Sequence, residues 1–440
     1  MKIARLRFAQ AAAGLSAVAL SGAAIAQGAS AASGGHVSVI MWVNPPAVVA
    51  LKKIDAEFEK THPGIKVNLT TAVNEYTNYA ALEKTSVEGT TTDIMATQAV
   101  NPMPVGGSSA DLMPEQLWGT SGVYEPLNGQ PWISRMKPTS VAVETYKGKL
   151  LGMNTGSYQY GVYYNKAIFA KHHIRIPTTY AQFVADCQVL KKDGVTPLYD
   201  GLGGGAQGYL YFILYPMMQG LWLPHAPGHN LNTALWSGKQ KWTSPYFIQA
   251  MKQEKQVAQY LEPNYTGESW TTMPTAFADG KSAMLLDGSW DLSAVFQANP
   301  KMKVGYFPLP GSNNAKLDAP ILQTDLTWVI LSRSHNQSAA KTWLDFFASP
   351  KIYKQYVAIT GISPSFQGNY KSQTEAVLGP KYFGNGVLAG DIFPVLPASG
   401  PFVLQLNNFW SLQLSMVQGQ KTPQQVAQTL AQAWTQVVHR

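Results

Sequence analysis

The sequence predicts an α/β protein of two interwoven α/β lobes, and three observations carry that expectation. At 440 residues, 45% of them hydrophobic and with glycine and proline scattered instead of gathered into a linker, the chain is long enough for two or three domains with large cores. Its first patterned stretch alternates strand and helix in the order β-α-β-α-β, which demands parallel strands joined by crossovers. Much later, the stretch from Ala276 to Trp290 (AFADGKSAMLLDGSW) repeats that grammar as helix end, buried strand, glycine turn and new helix.

In chain order, Lys2, Arg5 and Arg7 precede an apolar run from Phe8 to Ile25, closed by Ala24-Ile25-Ala26 and then Ala29-Ser30-Ala31. A charged start, an apolar middle and an A-x-A end make a secretory signal peptide, cleaved after Ala26 or Ala31, which sets residues 1–31 apart from the fold. No other apolar run approaches the roughly 18 residues a membrane span needs, so a soluble mature chain is expected. Val37 to Trp42 then reads as a strand, Pro45 to Thr61 as a helix and His62 to Leu69 as a turn into a second strand. A helix around Tyr76 to Glu88 leads to a third strand at Thr92 to Ala96. In the later stretch Phe277 and Ala278 close a helix, Ala283 to Leu286 form a short buried strand, and Asp287-Gly288-Ser289 reverses the chain into a helix opening at Leu292. Trp290 thereby falls where a strand's carboxyl end meets a helix start, the place at which open α/β sheets bind ligands. Read alone, it is equally a core side chain.

Composition narrows the function. Setting aside the three leader cations lowers the formal charge from +8 to +5, and the remaining cations are dispersed. Nucleic-acid binding asks for a basic stripe interleaved with aromatics, so no nucleic-acid partner is expected. The single cysteine, Cys187, excludes an internal disulfide framework and a lipid-anchored cysteine near the cleavage site. With the leader, this points to the periplasm. Only 13% of residues are charged, so polar work falls to Asn, Gln, Ser, Thr and Tyr, a surface suited to neutral polyhydroxylated ligands.

Several segments carry a family likeness in their order and spacing. These are Pro63-Gly-Ile-Lys-Val67; Tyr146 to Gly152 followed by Tyr163-Tyr-Asn-Lys166; Pro177 to Phe183 with Gly194-Val-Thr-Pro197; Ala283-Met284 with Gly288-Ser-Trp290; and Trp328 to Ser332, Ala340 to Pro350 and Gly361-Ile-Ser-Pro364. Together they resemble the maltose-binding-protein-like sugar-binding proteins of bacterial ABC importers, family 1 of the extracellular solute-binding proteins, over nearly the whole mature chain. Tyr180 stands in place of the usual tryptophan. The resemblance implies a periplasmic binding protein type II fold with discontinuous lobes, 36–155 plus 318–362 and 156–317 plus 363–440. Three hinge crossings would lie near Thr155 to Tyr158, Pro310 to Thr324 and Gly361 to Phe366, with the ligand cleft between the lobes. It further implies a monomer without cofactor or metal that captures a carbohydrate, expected to be an oligosaccharide, and delivers it to the permease subunits of an ABC importer in the inner membrane.

A pyranose offers an apolar face of C–H groups and a rim of hydroxyls, so aromatic rings cover the face while amides and carboxylates satisfy the rim. Carried onto this chain, the resemblance assigns ring stacking to Trp290 and Trp410 and a polar contact to Tyr158. Asn44 and Gln98 join them as residues just past strand ends, Tyr209 and Trp270 as aromatics near the cleft, and Asp287 and Asp325 as hydroxyl acceptors. Asp325 stands where relatives commonly have glycine. Each keeps a plainer role beside the binding one: core packing for Trp410 and Tyr209, a capping contact for Trp270, a turn cap for Asp325.

Enzyme readings find little support. Gly203 to Gly208 matches G-x-G-x-x-G, yet no Asp or Glu occurs between Asp200 and Glu254 to hold a ribose about 20 positions on. His225 and His229 are interrupted by Pro227-Gly228, which breaks the helix that would bring them together. A secreted carbohydrate-active enzyme would need paired carboxylates, for which Asp287 and Asp325 are the pair to test. Within the fold, the alternative is a receptor for a charged solute such as a polyamine, phosphodiester or iron.

Overall fold

A computed structural model describes residues 35–72, 78–98, 100, 112–203, 206–396 and 401–438. The expected signal peptide and the helix start at Tyr76 lie outside the described residues. Strand β1 (Gly35–Trp42) buries Val37, Val39 and Met41 on one face by simple alternation. Asn44 then caps helix α1 (Pro45–Thr61), accepting from the Ala47 N–H, while proline opens the first turn, where an N–H has no partner to lose. Strand β2 (Ile65–Ala72) pairs parallel with β1 from Gly35–Ile65 to Trp42–Ala72. Helix α2 (Ala80–Glu88) crosses back, and β3 (Ile94–Thr97) pairs parallel on the other side of β1. The expected β-α-β-α-β order is present, with α1 at its expected bounds and the strand ends moved by up to three residues.

After the hairpin β4 (Thr145–Tyr146) and β5 (Lys149–Leu150), β6 (Met153–Asn154) ends the first pass through this sheet. The long β7 (Gly156–Asn165) begins a second sheet, joined by β8 (Leu198–Tyr199), β9 (Met284–Gly288), β10 (Val304–Phe307) and β11 (Ile321–Thr324). The chain returns with β12 (Thr327–Ile330) and leaves again through β13 (Ser363–Pro364) and β14 (Val387–Leu388). The smaller sheet runs β2-β1-β3-β12-β6, and the larger β14-β11-β7-β9-β8 with β10 and β13 also paired to β7. Each sheet has its own large core. A third cluster, with Tyr163, Phe277, Leu285 and Tyr306, covers the other face of the larger sheet. Among the described residues no helix is long and apolar enough to cross a membrane.

The second crossing lies at the far end of the run expected for it, past the lobe boundary at 318. Ile321–Thr324, placed in the first lobe by a boundary at 318, pairs antiparallel with Ser157 to Tyr160 of the larger sheet. The run from Pro308 to Gly311 is a connection within the second sheet's half, and the crossing itself is Asp325-Leu326. Phe366 and Tyr370, expected with the second lobe, pack in the core of the first sheet. Gln367 N–H donates to Arg135 O there, and Lys137 N–H to Ser365 O.

The three crossings are bonded to one another. Thr155 N–H donates to Leu326 O and Asp325 N–H to Gly156 O, each at 3.0 Å. Tyr353 Oη donates to Thr155 O at 2.7 Å and accepts from Ser365 N–H at 2.8 Å, and Ser365 Oγ donates to Asn154 O at 2.6 Å. Gly156, at φ +146°, brings the first crossing so close to the third that a side-chain carbon would stand 2.5 Å from Ser363 O. Only glycine fits both the conformation and the space.

Candidate ligand-binding site

Strand parity sorts the residues around Trp290. Tyr158 and Tyr160 of β7 share one face, because alternate side chains of a strand point the same way. Tyr160 lies opposite Gly288 of β9 in antiparallel register. Trp290 sits in a single 3-10 turn, Ser289–Asp291, and its indole folds back over Gly288. A side-chain carbon at Gly288 would stand 2.2 Å from the ring. This explains the glycine of the Gly-x-Trp motif: it clears the seat of the tryptophan.

The indole is partly exposed and packs against both large cores. Tyr158 meets it edge-on at 5.5 Å between centroids and 86°, and Tyr160 does so at 5.6 Å and 86°. Phe212 lies 6.1 Å away, tilted by 37°. Phe212 touches Tyr209 at 5.2 Å, and Tyr209 meets Trp270 at 6.0 Å. Trp270 is 40% exposed, so the row of rings runs from the junction of the cores out to solvent.

Three expected residues converge on the junction. Asn44 Nδ2 donates to Tyr158 Oη at 3.0 Å while its Oδ1 accepts from Ala47 N–H, so one amide ties the start of α1 to β7. Both residues are buried, and Tyr158 serves as a wall of the Trp290 seat, not an open contact. Asp325, also buried, lies in the second crossing close enough to Tyr158 to raise its pKa; burial raises that pKa most. Gln98 is partly exposed just beyond β3, at the same carboxyl end of the smaller sheet.

Two residues occupy other places than expected. Asp287 lies opposite Gly161 and so shares the face of Tyr163 and Leu285, turned away from Trp290; it is fully buried. Its Oδ1 accepts from Gly288 N–H at 2.6 Å. Burial, and next the Asp291 carboxyl, push its pKa well above the ordinary carboxylate value. Asp291 is pushed up to about 6 by burial, opposed by hydrogen bonds from Asp287 and Trp290. Asp287 thus lies beneath the tryptophan turn, beside Asp291. Trp410 is 3% exposed, with Phe393 stacked on it at 5.6 Å and 22° and Phe409 edge-on at 5.0 Å. It packs in the core of the second sheet here, and it meets Tyr211, which stacks on Tyr160 at 5.0 Å and touches Tyr209 and Phe212 of the row.

Tyr160 and Asp291 are the participants that sequence reasoning missed. Tyr160 was signalled by its spacing of two from Tyr158 on a strand. Asp291 had only adjacency to Trp290, since a carboxyl pair four residues apart forms only because a 3-10 turn follows β9.

A site between two sheets that exchange the chain three times is matched by sequence comparison. Residues 44–354 match the family model described as bacterial extracellular solute-binding protein. The chain belongs to this family. The solute-binding protein is 22% identical over 330 residues to the "Multiple sugar-binding protein" of Streptococcus mutans, covering 72% of each chain. It is 23% identical over 325 residues to the "Melibiose/raffinose/stachyose-binding protein MelE" of Bacillus subtilis, covering 73% of its own length and 71% of that relative. Among solved structures, a "Chitin oligosaccharide binding protein" superposes with a TM-score of 0.74 at 19% identity, over 92% of this chain and 99% of that one. The fold is that of the type II periplasmic binding proteins, as expected.

Proposed function

We propose that this solute-binding protein captures a carbohydrate between its two sheets and delivers it to the permease of an ABC importer. The observation that carries the reading is Trp290, partly exposed and seated where both cores meet. An indole braced by two tyrosines set perpendicular to it is a flat, apolar, pre-ordered group suited to the C–H face of a pyranose. The row continuing through Phe212 and Tyr209 to Trp270 is longer than one sugar ring, which favours an oligosaccharide. Gln98 and Asp325 are the polar groups at hand for hydroxyls. The ligands named for the relatives, raffinose, stachyose and chitin oligosaccharides, support the same class.

In this reading the lobes are 36–155 with 325–370 and 156–324 with the C-terminal remainder, and they close on the ligand about the three crossings. The protein works as a monomer in the periplasm after cleavage at Ala26 or Ala31, and as a receptor, not a hydrolase. Burial of Asp287 on the face away from Trp290 disfavours an Asp287–Asp325 catalytic pair. A thermal-shift and calorimetric screen with raffinose, stachyose, chito-oligosaccharides and malto-oligosaccharides tests the proposal. A binder should melt higher with at least one of them and return it intact. Release of reducing ends, or binding only of polyamines or phosphodiesters, would overturn it.

A further inference from the structure

The face of the larger sheet turned away from Trp290 carries a second pocket. Ser157 alternates with Tyr158 on β7 and so points opposite to it. In antiparallel register Ser157 lies across from both Thr324 of β11 and Ser363 of β13, and residues directly opposite share a face. These three hydroxyl residues, with Asn154, Ser140 and Lys137, line a cavity of about 70 Å³. Its walls come from all three hinge crossings: Asn154 and Ser157 flank the first, Thr324 precedes the second, and Ser363 follows the third.

Lys137 gives the pocket its chemistry. Its backbone is fixed to the third crossing by the bond from its N–H to Ser365 O at 2.8 Å. Its ammonium reaches toward the loop of the second sheet, where a side-chain carbon at Gly384 would stand 3.8 Å from Nζ. Among the described residues Lys137 forms no ion pair, and the pocket lining contains no carboxylate. Partial burial lowers its pKa, the direction expected of a cation that lacks a counter-charge. The Ser363 hydroxyl is donated to Gln159 Oε1, and Val143, Leu322 and Leu388 add apolar wall, but a partly desolvated ammonium in one pocket with Ser140, Ser157 and Thr324 has the chemistry to receive a small anion. The space is small and open on one side, and it has room for a compact oxyanion beside the ammonium.

We propose that this pocket is a second ligand site, for a compact oxyanion bound by Lys137 and the surrounding hydroxyls, and that its occupancy is coupled to the hinge. Because its walls belong to elements that move apart or together as the sheets rotate, the anion binds one hinge state better than the other. By linkage, it then changes affinity in the main cleft by the same factor that cleft ligand changes its own. The coupling rests on the carbohydrate reading of the cleft; the anion site does not.

The test uses inorganic phosphate at constant ionic strength, balanced with chloride. Without sugar, phosphate should raise the melting temperature of the wild type and of Lys137→Arg, which keeps the charge, but not of Lys137→Gln. An equal effect on all three, or none on the wild type, overturns the site. With a bound oligosaccharide, saturating phosphate should change sugar affinity by roughly 5-fold or more in the wild type and leave Lys137→Gln unmoved. Unchanged sugar affinity alongside Lys137-dependent phosphate binding overturns the coupling. Were no sugar bound at all, the cleft reading would fail by itself, and small-angle scattering with phosphate alone would decide the coupling: unchanged dimensions reject it.

Discussion

Trp290 and Trp410 were assigned the same task from the sequence, and the structure gives them opposite surroundings. Trp290 ends a strand, turns over a glycine and stands partly exposed against both cores. Trp410 lies within a helix, Leu406–Val417, with aromatic rings on its face and edge and 3% of its surface exposed. Both are tryptophans beside small or aromatic neighbours in a chain that resembles sugar receptors. What separates them is whether the next layer of side chains leaves a ring face open, and that is a tertiary property.

The comparison is sharpest in mutants. Trp410→Ala should lose stability by about 3 to 5 kcal/mol, the cost of emptying an aromatic site in a packed core, read as a large fall in melting temperature. A variant that melts normally but fails to bind sugar would return Trp410 to the cleft. Trp290→Ala should do the reverse: sugar affinity weaker by about 1 to 3 kcal/mol, in calorimetry, with a smaller melting shift than Trp410→Ala. Equal losses of stability in the two variants would erase the distinction.

The hinge beneath the pair offers a pH test. Glu144 is buried, accepts from Thr327 Oγ1 and Asn154 Nδ2 on one oxygen and from Val100 N–H on the other, and is pushed up to about 8, chiefly by burial. The folded state therefore holds this proton more tightly than the unfolded chain does. Its contribution to stability is complete below the ordinary value of 4.5 and is lost as pH rises through about 8, by up to about 1.4 kcal/mol per pH unit. Glu144→Gln should flatten that slope in denaturant titrations between pH 5 and 8; an unchanged slope would show that Glu144 is ionised throughout. The smallest effect expected is that of Tyr158→Phe, which removes the Oη that accepts from Asn44 and should weaken sugar binding by about 1 kcal/mol through a looser Trp290 seat. No change in affinity would make Tyr158 a spectator.

Most of the architecture was legible because it is written in local pattern. The strands at β1 to β3, the helix from Pro45 to Thr61 and the turn before Trp290 follow from alternation, proline and glycine within a few residues of each other. The second crossing was not, because Pro308 to Gly311 and Asp325-Leu326 are both plausible exits, and only the pairing of Ile321–Thr324 with β7 decides between them. At the site, Asn44, Tyr158, Trp290 and Asp325 are gathered at the junction as strand ends and crossings suggested. Asp287 lies on the face away from Trp290 for a physical reason: one residue of strand parity turns a side chain to the opposite face. The burial of Trp410 under Phe393 is a contact between segments that no local pattern encodes.

The most direct test of the account is a crystal structure of the protein with whichever oligosaccharide raises its melting temperature most. The expected result is a pyranose lying on the open face of Trp290 in van der Waals contact, with further rings following the row toward Trp270 and none against Trp410. A sugar bound elsewhere while Trp290 stays covered by protein would contradict it.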